Sequence, residues 1–239
     1  MKINALKTKT LTTGRGESRT PLTLNGTPLE AVDKISYLGM TISAKRHNDD
    51  AISDRLEKAR TMRNVLYNTI LVKKEVSLAT KLTCYRSLFV PTLTYGHEAW
   101  TLTKERGDRL KSLEMKFVRP ACGFTLRDEK RNTELRDMLG VTAPLVLRIE
   151  RSQLRWLGHV MRMEESRLPK QILFANFSGR RPPGGPRKRF LDAQKELLRR
   201  LKLTFDDAQR ILSREDARPK WSELCNTLPP RVLMKGQSA

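Results

Sequence analysis

Metal-assisted phosphoryl chemistry needs carboxylates converging on one or two cations. The adjacent acid pairs in this sequence are Asp49-Asp50, Glu164-Glu165 and Asp206-Asp207. The first and last stand at predicted helix starts, where an acid complements the helix dipole, so capping accounts for them better than metal binding. The candidates for a zinc site are Cys84, Cys122 and Cys225 with His47, His97 and His159, and no two of them share a short ligand spacing. Cys84 falls on an apolar helical pattern, which argues against a cysteine–histidine nucleophile. Gly184-Gly185-Pro186 lacks the spacing of a phosphate-binding loop. The sequence therefore predicts no catalytic residue, no metal ligand and no cofactor of its own.

The residues that do carry chemistry are cations. Arg180, Arg181, Arg187, Lys188 and Arg189 crowd a stretch whose prolines and glycines forbid regular backbone hydrogen bonding. Such an arm suits a narrow, electronegative minor groove. It is similar to an AT-hook, with glycine standing where that motif's Gly-Arg-Pro core has arginine. A phosphate-tracking arm and a nuclear-import signal around Arg187-Lys188-Arg189 are equally open readings. Upstream, Arg155 and Arg162 flank Trp156 in the run Leu154–Arg162. A tryptophan there either stacks a base or packs a core, and its leucine neighbours favour the core. Gly158 allows close helix approach in both cases.

Composition agrees with the cations. The 239 residues hold 47 Lys and Arg against 26 Asp and Glu, a formal net charge of +21. Charge of that size opposes compaction and is expected to meet a polyanion, with nucleic acid the commonest. Anionic lipid, an acidic protein and a plain solvated surface are the alternatives. No apolar run is long enough to span a bilayer and the N-terminus lacks a signal-peptide core, which predicts an intracellular protein, and the import-signal reading of Arg187-Lys188-Arg189 places it in the nucleus. The odd, scattered cysteines read as small core residues.

The elements that must position these cations change character along the chain. Leu22-Thr23-Leu24, Asn25-Gly26 and Thr27-Pro28-Leu29 read as a hairpin, and Ile35–Ile42 as a further strand. From Asn48 or Asp49 the apolar period becomes helical through Ile52, Leu56, Ala59, Leu66 and Ile70. A second helix is expected over Val76–Phe89, stopped by Pro91. A third is capped by Thr103, a short one runs over Thr133–Leu139 and closes at Gly140, and a long one covers Leu145–Met163. Beyond the basic stretch, Phe190–Leu203 is amphipathic, and a last helix starts near Thr204 and is interrupted by Pro219.

In four stretches the chain resembles the C-terminal part of a non-LTR (LINE-type) retrotransposon reverse transcriptase. Met1-Lys2-Ile3-Asn4 with Lys7-Thr8-Lys9 is similar to a late palm segment, and Ile35-Ser36-Tyr37-Leu38-Gly39-Met40 to the Tyr-Leu-Gly strand of the primer-grip hairpin. Tyr85–Leu88 with Leu93–Leu102 resembles the Tyr-Gly-x-Glu-x-Trp segment. Leu154–Val160 and the stretch ending Arg189-Phe190-Leu191-Asp192 resemble the post-thumb tail. The order is preserved over almost the whole chain. The resemblance implies that Lys7 matches a palm lysine near the incoming nucleotide, placed to donate a proton to the leaving pyrophosphate. It also implies that the chain begins just after the palm aspartates that bind magnesium in the intact family, so this chain alone is expected to be inactive. Phe205-Asp206-Asp207 does not replace those aspartates, because it lacks the spacer after the aromatic and the strand–turn–strand setting.

The resulting expectation is a mainly α fold, with a small N-terminal antiparallel β-meander (a palm remnant), a helical thumb and a helical C-terminal tail. The divisions are 1–45 for the β-remnant, 46–127 for the thumb-like region, 128–178 for the post-thumb helices, 179–189 for the basic linker and 190–239 for the tail. The resemblance implies a nucleic-acid-binding fragment that grips template–primer or element RNA. Its expected contacts are Lys7, Lys9, Arg155, Arg162, Arg180, Arg181, Arg187, Lys188 and Arg189, with Tyr37, Leu38 and Gly39 as a primer-grip-like turn. RNA or DNA and the missing reverse transcriptase or endonuclease portion are the expected partners. The alternatives are a nuclear protein-interaction module and a non-functional transposon relic.

Overall fold

The N-terminal region is built around tight turns. The computed structural model describes residues 3–12, 21–44, 47–175, 188–214 and 216–231. Strand β1 (Lys9–Thr10) follows a 3₁₀ turn at Ala5–Lys7. Strands β2 (Thr23–Leu24) and β3 (Thr27–Pro28) pair antiparallel as expected, because Asn25 and Gly26 take φ of +51° and +79°, the left-handed pair that a two-residue I′ turn demands.

Two features depart from a single antiparallel meander. Strand β1 pairs in parallel with β4 (Glu30–Ala31), and among the described residues no strand joins one two-stranded ladder to another. The expected single strand Ile35–Ile42 is a hairpin, β5 (Lys34–Tyr37) with β6 (Met40–Ser43). Leu38 and Gly39 at φ +48° and +74° reverse the chain between them. A leucine in that conformation is unusual, and tertiary contacts described below hold it there.

Helices make up the rest, as the apolar period predicts. Helix α1 (His47–Leu66) continues as a π turn through Leu71. Helix α2 (Leu78–Cys84) is capped by Ser77, whose Oγ accepts from the Thr80 amide at 3.2 Å. It does not stop at Pro91. A π turn over Tyr85–Phe89 leads into α3 (Val90–Thr94), with the Val90 amide donating to the Tyr85 carbonyl. The wider turn relieves the clash that a proline ring makes with the preceding turn, so the helix passes through the proline.

Helix α4 (Lys104–Ala121) starts at Thr103, whose hydroxyl accepts from the Arg106 amide, and α5 (Asn132–Leu139) ends on Gly140 at φ +80°. Then follow α6 (Leu145–Met161), α7 (Leu168–Phe174), α8 (Phe190–Arg200), α9 (Phe205–Leu212) and α10 (Ala217–Asn226). The last expected helix is in fact two. The break falls before α10, and Pro219 sits in the first turn of α10, where its missing N–H has no partner to lose.

Helix α6 carries two cores. Leu145 and Ile149 join a cluster built on Tyr85, Phe89, Trp100 and Phe117, while Leu147, Leu154 and Leu157 join a second built on Leu197, Leu198, Trp221 and Cys225. Each core buries one carboxylate. Glu114 accepts from Tyr85 Oη at 2.8 Å, Arg136 Nη2 at 2.7 Å and the Leu145 amide at 3.1 Å. Burial raises the Tyr85 phenol above its ordinary pKa, which keeps it a donor to Glu114. Glu150 binds Arg200 Nη1 at 2.7 Å and Arg231 Nε at 2.5 Å. Among the described residues, no helix is long and apolar enough to cross a membrane.

Candidate nucleic-acid interface

With its leucines turned inward, α6 presents Arg148, Arg151, Ser152, Arg155 and His159 outward at three- and four-residue spacing. The only carboxylate of this helix, Glu150, points to the opposite side and is fully engaged by Arg200 and Arg231. The outward stripe is therefore cationic, and among the described residues no carboxylate pairs with Arg148, Arg151 or Arg155.

Arg148, Arg151, Ser152 and Arg155 of that stripe line a cleft of about 450 Å³. Arg86, Thr94 and His97 also line it, together with Asn226 of α10. Four arginines line it, Arg86, Arg148, Arg151 and Arg155, and no lining residue is acidic. Arg86 Nη2 is held by the Gly140 carbonyl at 3.0 Å, Arg151 Nη2 by Leu228 O at 3.2 Å and Arg155 Nη1 by Asn226 Oδ1 at 3.2 Å. Each anchor uses part of a five-donor guanidinium and leaves other N–H groups free for an anion. Arg151 Nε is buried without a hydrogen-bond partner among the described residues. A buried orphan donor costs stability, and an acceptor entering from the cleft would offset that cost.

The stretches that carry the family resemblance touch one another here. Tyr95 Oη donates to Leu38 O at 2.8 Å, and Arg55 lies 4.6 Å over the Tyr95 ring while donating to Gly39 O. Gly96 has φ +74°, and a Cβ there would lie 2.5 Å from Met40 Sδ. Gln153 Nε2 donates to His97 O at 2.7 Å and Trp100 O at 2.8 Å. The Tyr37–Met40 turn, the Tyr95–Trp100 segment and α6 thus form one continuous contact.

The expected contact residues separate. Tyr37 and Leu38 are exposed and form the turn tip with Gly39. Lys7 is exposed on the 3₁₀ turn, and Lys9 pairs with Glu30 at 2.9 Å. Arg155 lines the cleft. Arg162 is half-buried at the end of α6, where burial and then Arg218 lower its pKa, and its Nη1 has no hydrogen-bond partner among the described residues. Lys188 is paired with Glu196, and the Arg189 backbone amide donates to Asp192 Oδ2 at 3.2 Å at the start of α8. Arg180, Arg181 and Arg187 lie outside the described residues. Nothing in the geometry brings Lys7 or Lys9 to Arg155.

Three cleft arginines escaped the sequence reading. Arg148 and Arg151 were legible as a stripe with Arg155, whereas Arg86 reaches the cleft only through the fold. Trp156 also corrects an expectation, since it is 37% exposed and packs on His159 at 5.3 Å rather than entering a core. Its leucine neighbours Leu154 and Leu157 face the other way. The acid pairs behave as caps and struts. Asp207 closes a capping box with Thr204, Asp49 accepts from Arg106 Nε at 2.8 Å, and Asp50 pairs with Lys34. The three cysteines are free. Burial pushes the Cys225 thiol up to about 12 and also raises Cys122, so neither is a ready thiolate.

No family model and no solved structure matches the chain. A protein of Caenorhabditis elegans whose name describes it as transposon-derived is 30% identical over 147 residues. The match covers 59% of this chain and 51% of that protein, so the chain spans about half the length of the curated relative it matches. This likeness supports a transposon origin for the sequence.

Proposed function

We propose that the chain is the nucleic-acid-binding C-terminal part of a non-LTR retrotransposon reverse transcriptase, gripping template–primer or element RNA through backbone phosphates. The observation that carries this reading is the acid-free cleft with Arg86, Arg148, Arg151 and Arg155. Four guanidinium groups on one concave surface repel one another and are stabilised by a polyanion. The contact between the Tyr37–Met40 turn and the Tyr95–Trp100 segment supports the resemblance, and the transposon-derived relative agrees with it.

The intact family's magnesium does not fit the described residues, where no group of three His, Cys, Asp or Glu side chains is placed to hold a metal ion. No metal-dependent step is assigned to this chain, and primer extension by the purified protein is expected at background.

Fluorescence anisotropy against salt tests the binding. On a single strand each true phosphate contact contributes about 0.7 to the log–log slope. Arg148→Gln with Arg155→Gln should flatten the slope by roughly 1 to 2. Neutralising Arg180, Arg181, Arg187, Lys188 and Arg189 measures the linker's separate share. Weak, salt-insensitive affinity together with tight binding of a protein would instead establish an interaction module. The absence of any ligand would leave a relic.

A further inference from the structure

We propose, resting on the nucleic-acid reading above, that the α6 cleft takes a single strand rather than a duplex, with Trp156 as the surface on which one base stacks. Phosphates lie along Arg148, Arg151 and Arg155, and Trp156 with His159 continues the same stripe by one further turn.

Several observations converge on that assignment. From Arg148 to His159 the stripe rises eleven helical steps, about 16 Å at 1.5 Å per residue. Arg155 lines the cleft, and its chain neighbour Trp156 stands beside it at the surface. The other two tryptophans are structural. Trp100 and Trp221 are 1% and 2% exposed, and Trp221 spends its indole N–H on Leu154 O at 2.9 Å. Trp156 makes one ring contact, with His159 at 5.3 Å and an interplanar angle of 44°. A large aromatic side chain half out of the surface on an arginine stripe is the combination that sequence-tolerant single-strand binders use.

The shape of the cleft selects between strand forms. At about 450 Å³ and lined also by Arg86, Val90, Thr94 and His97, it admits a sugar–phosphate backbone with its bases turned out. Bases held in a duplex are stacked on each other and unavailable to an indole. A protein partner for the same surface would have to bring a string of carboxylates and an aromatic-binding pocket in register, a more demanding match than a nucleotide chain.

Trp100 and Trp221 are buried and emit at shorter wavelength, so the red-shifted component of the intrinsic fluorescence reports Trp156. Titration of the full chain with an oligothymidylate should quench the exposed component, and an abasic strand of equal length should bind without quenching. Trp156→Ala should weaken single-strand binding by about tenfold while leaving duplex binding within twofold, and Trp156→Phe should restore most of the loss. The expected thermal midpoint of each variant is that of the wild type, since the residue is outside both cores. Single-strand binding with no quenching and no effect of Trp156→Ala overturns the stacking inference while leaving the phosphate-binding function intact. Equal or tighter affinity for duplex overturns the strand preference. Failure to bind any nucleic acid overturns the functional reading itself.

Discussion

Gly158 and Trp221 meet so closely that a Cβ on Gly158 would stand 2.3 Å from the indole Nε1. That same nitrogen donates to Leu154 O at 2.9 Å, so the N–H edge of the indole is seated on one turn of α6. The contact bonds α10 to the helix whose arginines line the cleft. Gly158→Ala gains about 1 kcal/mol of helix propensity but drives a methyl group into a fully buried ring. Overpacking of this kind costs typically 1–3 kcal/mol, and the indole hydrogen bond is lost as well. The expected outcome is a net destabilisation of about 1–3 kcal/mol by urea unfolding. A neutral or stabilising result would mean that α10 is not seated on α6 as described.

Glu114 of α4 binds the Tyr85–Phe89 π turn, α5 and the start of α6, fully buried with three donors upon it. Removing one partner of a buried ion pair strands the other charge and costs about 3–5 kcal/mol. Glu114→Gln is expected to fall in that range. Arg136→Met is expected to be comparably costly, and the double variant to cost clearly less than the two effects together. Additive losses would show that the pair is not coupled.

Much of this fold was legible because local chemistry and tertiary structure agree. Thr103, Thr204, Gly140 and the Asn25-Gly26 turn each satisfy a backbone need that is visible in a few residues. Pro91 misled because a proline reads as a stop unless a π turn precedes it, and nothing in the residues Tyr85–Phe89 announces one. The single strand expected over Ile35–Ile42 failed for a related reason. Leu38 takes a left-handed backbone only because Tyr95 and Arg55, distant in sequence, bind the carbonyls at the turn. The cleft was half legible. Its arginine stripe follows from helical spacing, but Arg86 and Asn226 are brought to it from separate elements. Trp156 was misread from its neighbours, although helical spacing places it beside Arg155 and Ser152 rather than with Leu154 and Leu157.

Tyr95 therefore gives a direct test of how the β5–β6 turn is held. Tyr95→Phe removes one hydrogen bond to Leu38 O while keeping the ring beneath Arg55, and should cost about 1 kcal/mol. Amide exchange at Leu38 and Gly39 should accelerate, with α4 and α5 unchanged. Gly96→Ala should be more damaging. It demands a left-handed alanine and places a methyl group against Met40. Unchanged exchange in the Tyr95→Phe variant would show that the turn stands without the phenol.

Acid should weaken the fold through carboxylates that cap rather than catalyse. The Thr204 hydroxyl and then its amide hold Asp207 below its ordinary value of 3.8, and the Thr125 amide and hydroxyl do the same for Asp128. For a group whose folded pKa is depressed, the unfolded chain takes up the proton first. Its contribution is therefore complete above the ordinary value and is lost as pH falls through and below 3.8. Asp207→Asn keeps an acceptor at the start of α9 but removes the charge. The difference in Tm between wild type and Asp207→Asn should be largest near neutral pH and should close as the solution is acidified below about pH 4. Thr204→Val should raise the Asp207 carboxyl midpoint, followed by carbon NMR, toward the ordinary value. A Tm difference that stays constant down to low pH would mean that the stabilisation comes from the hydrogen-bond geometry alone and not from the charge.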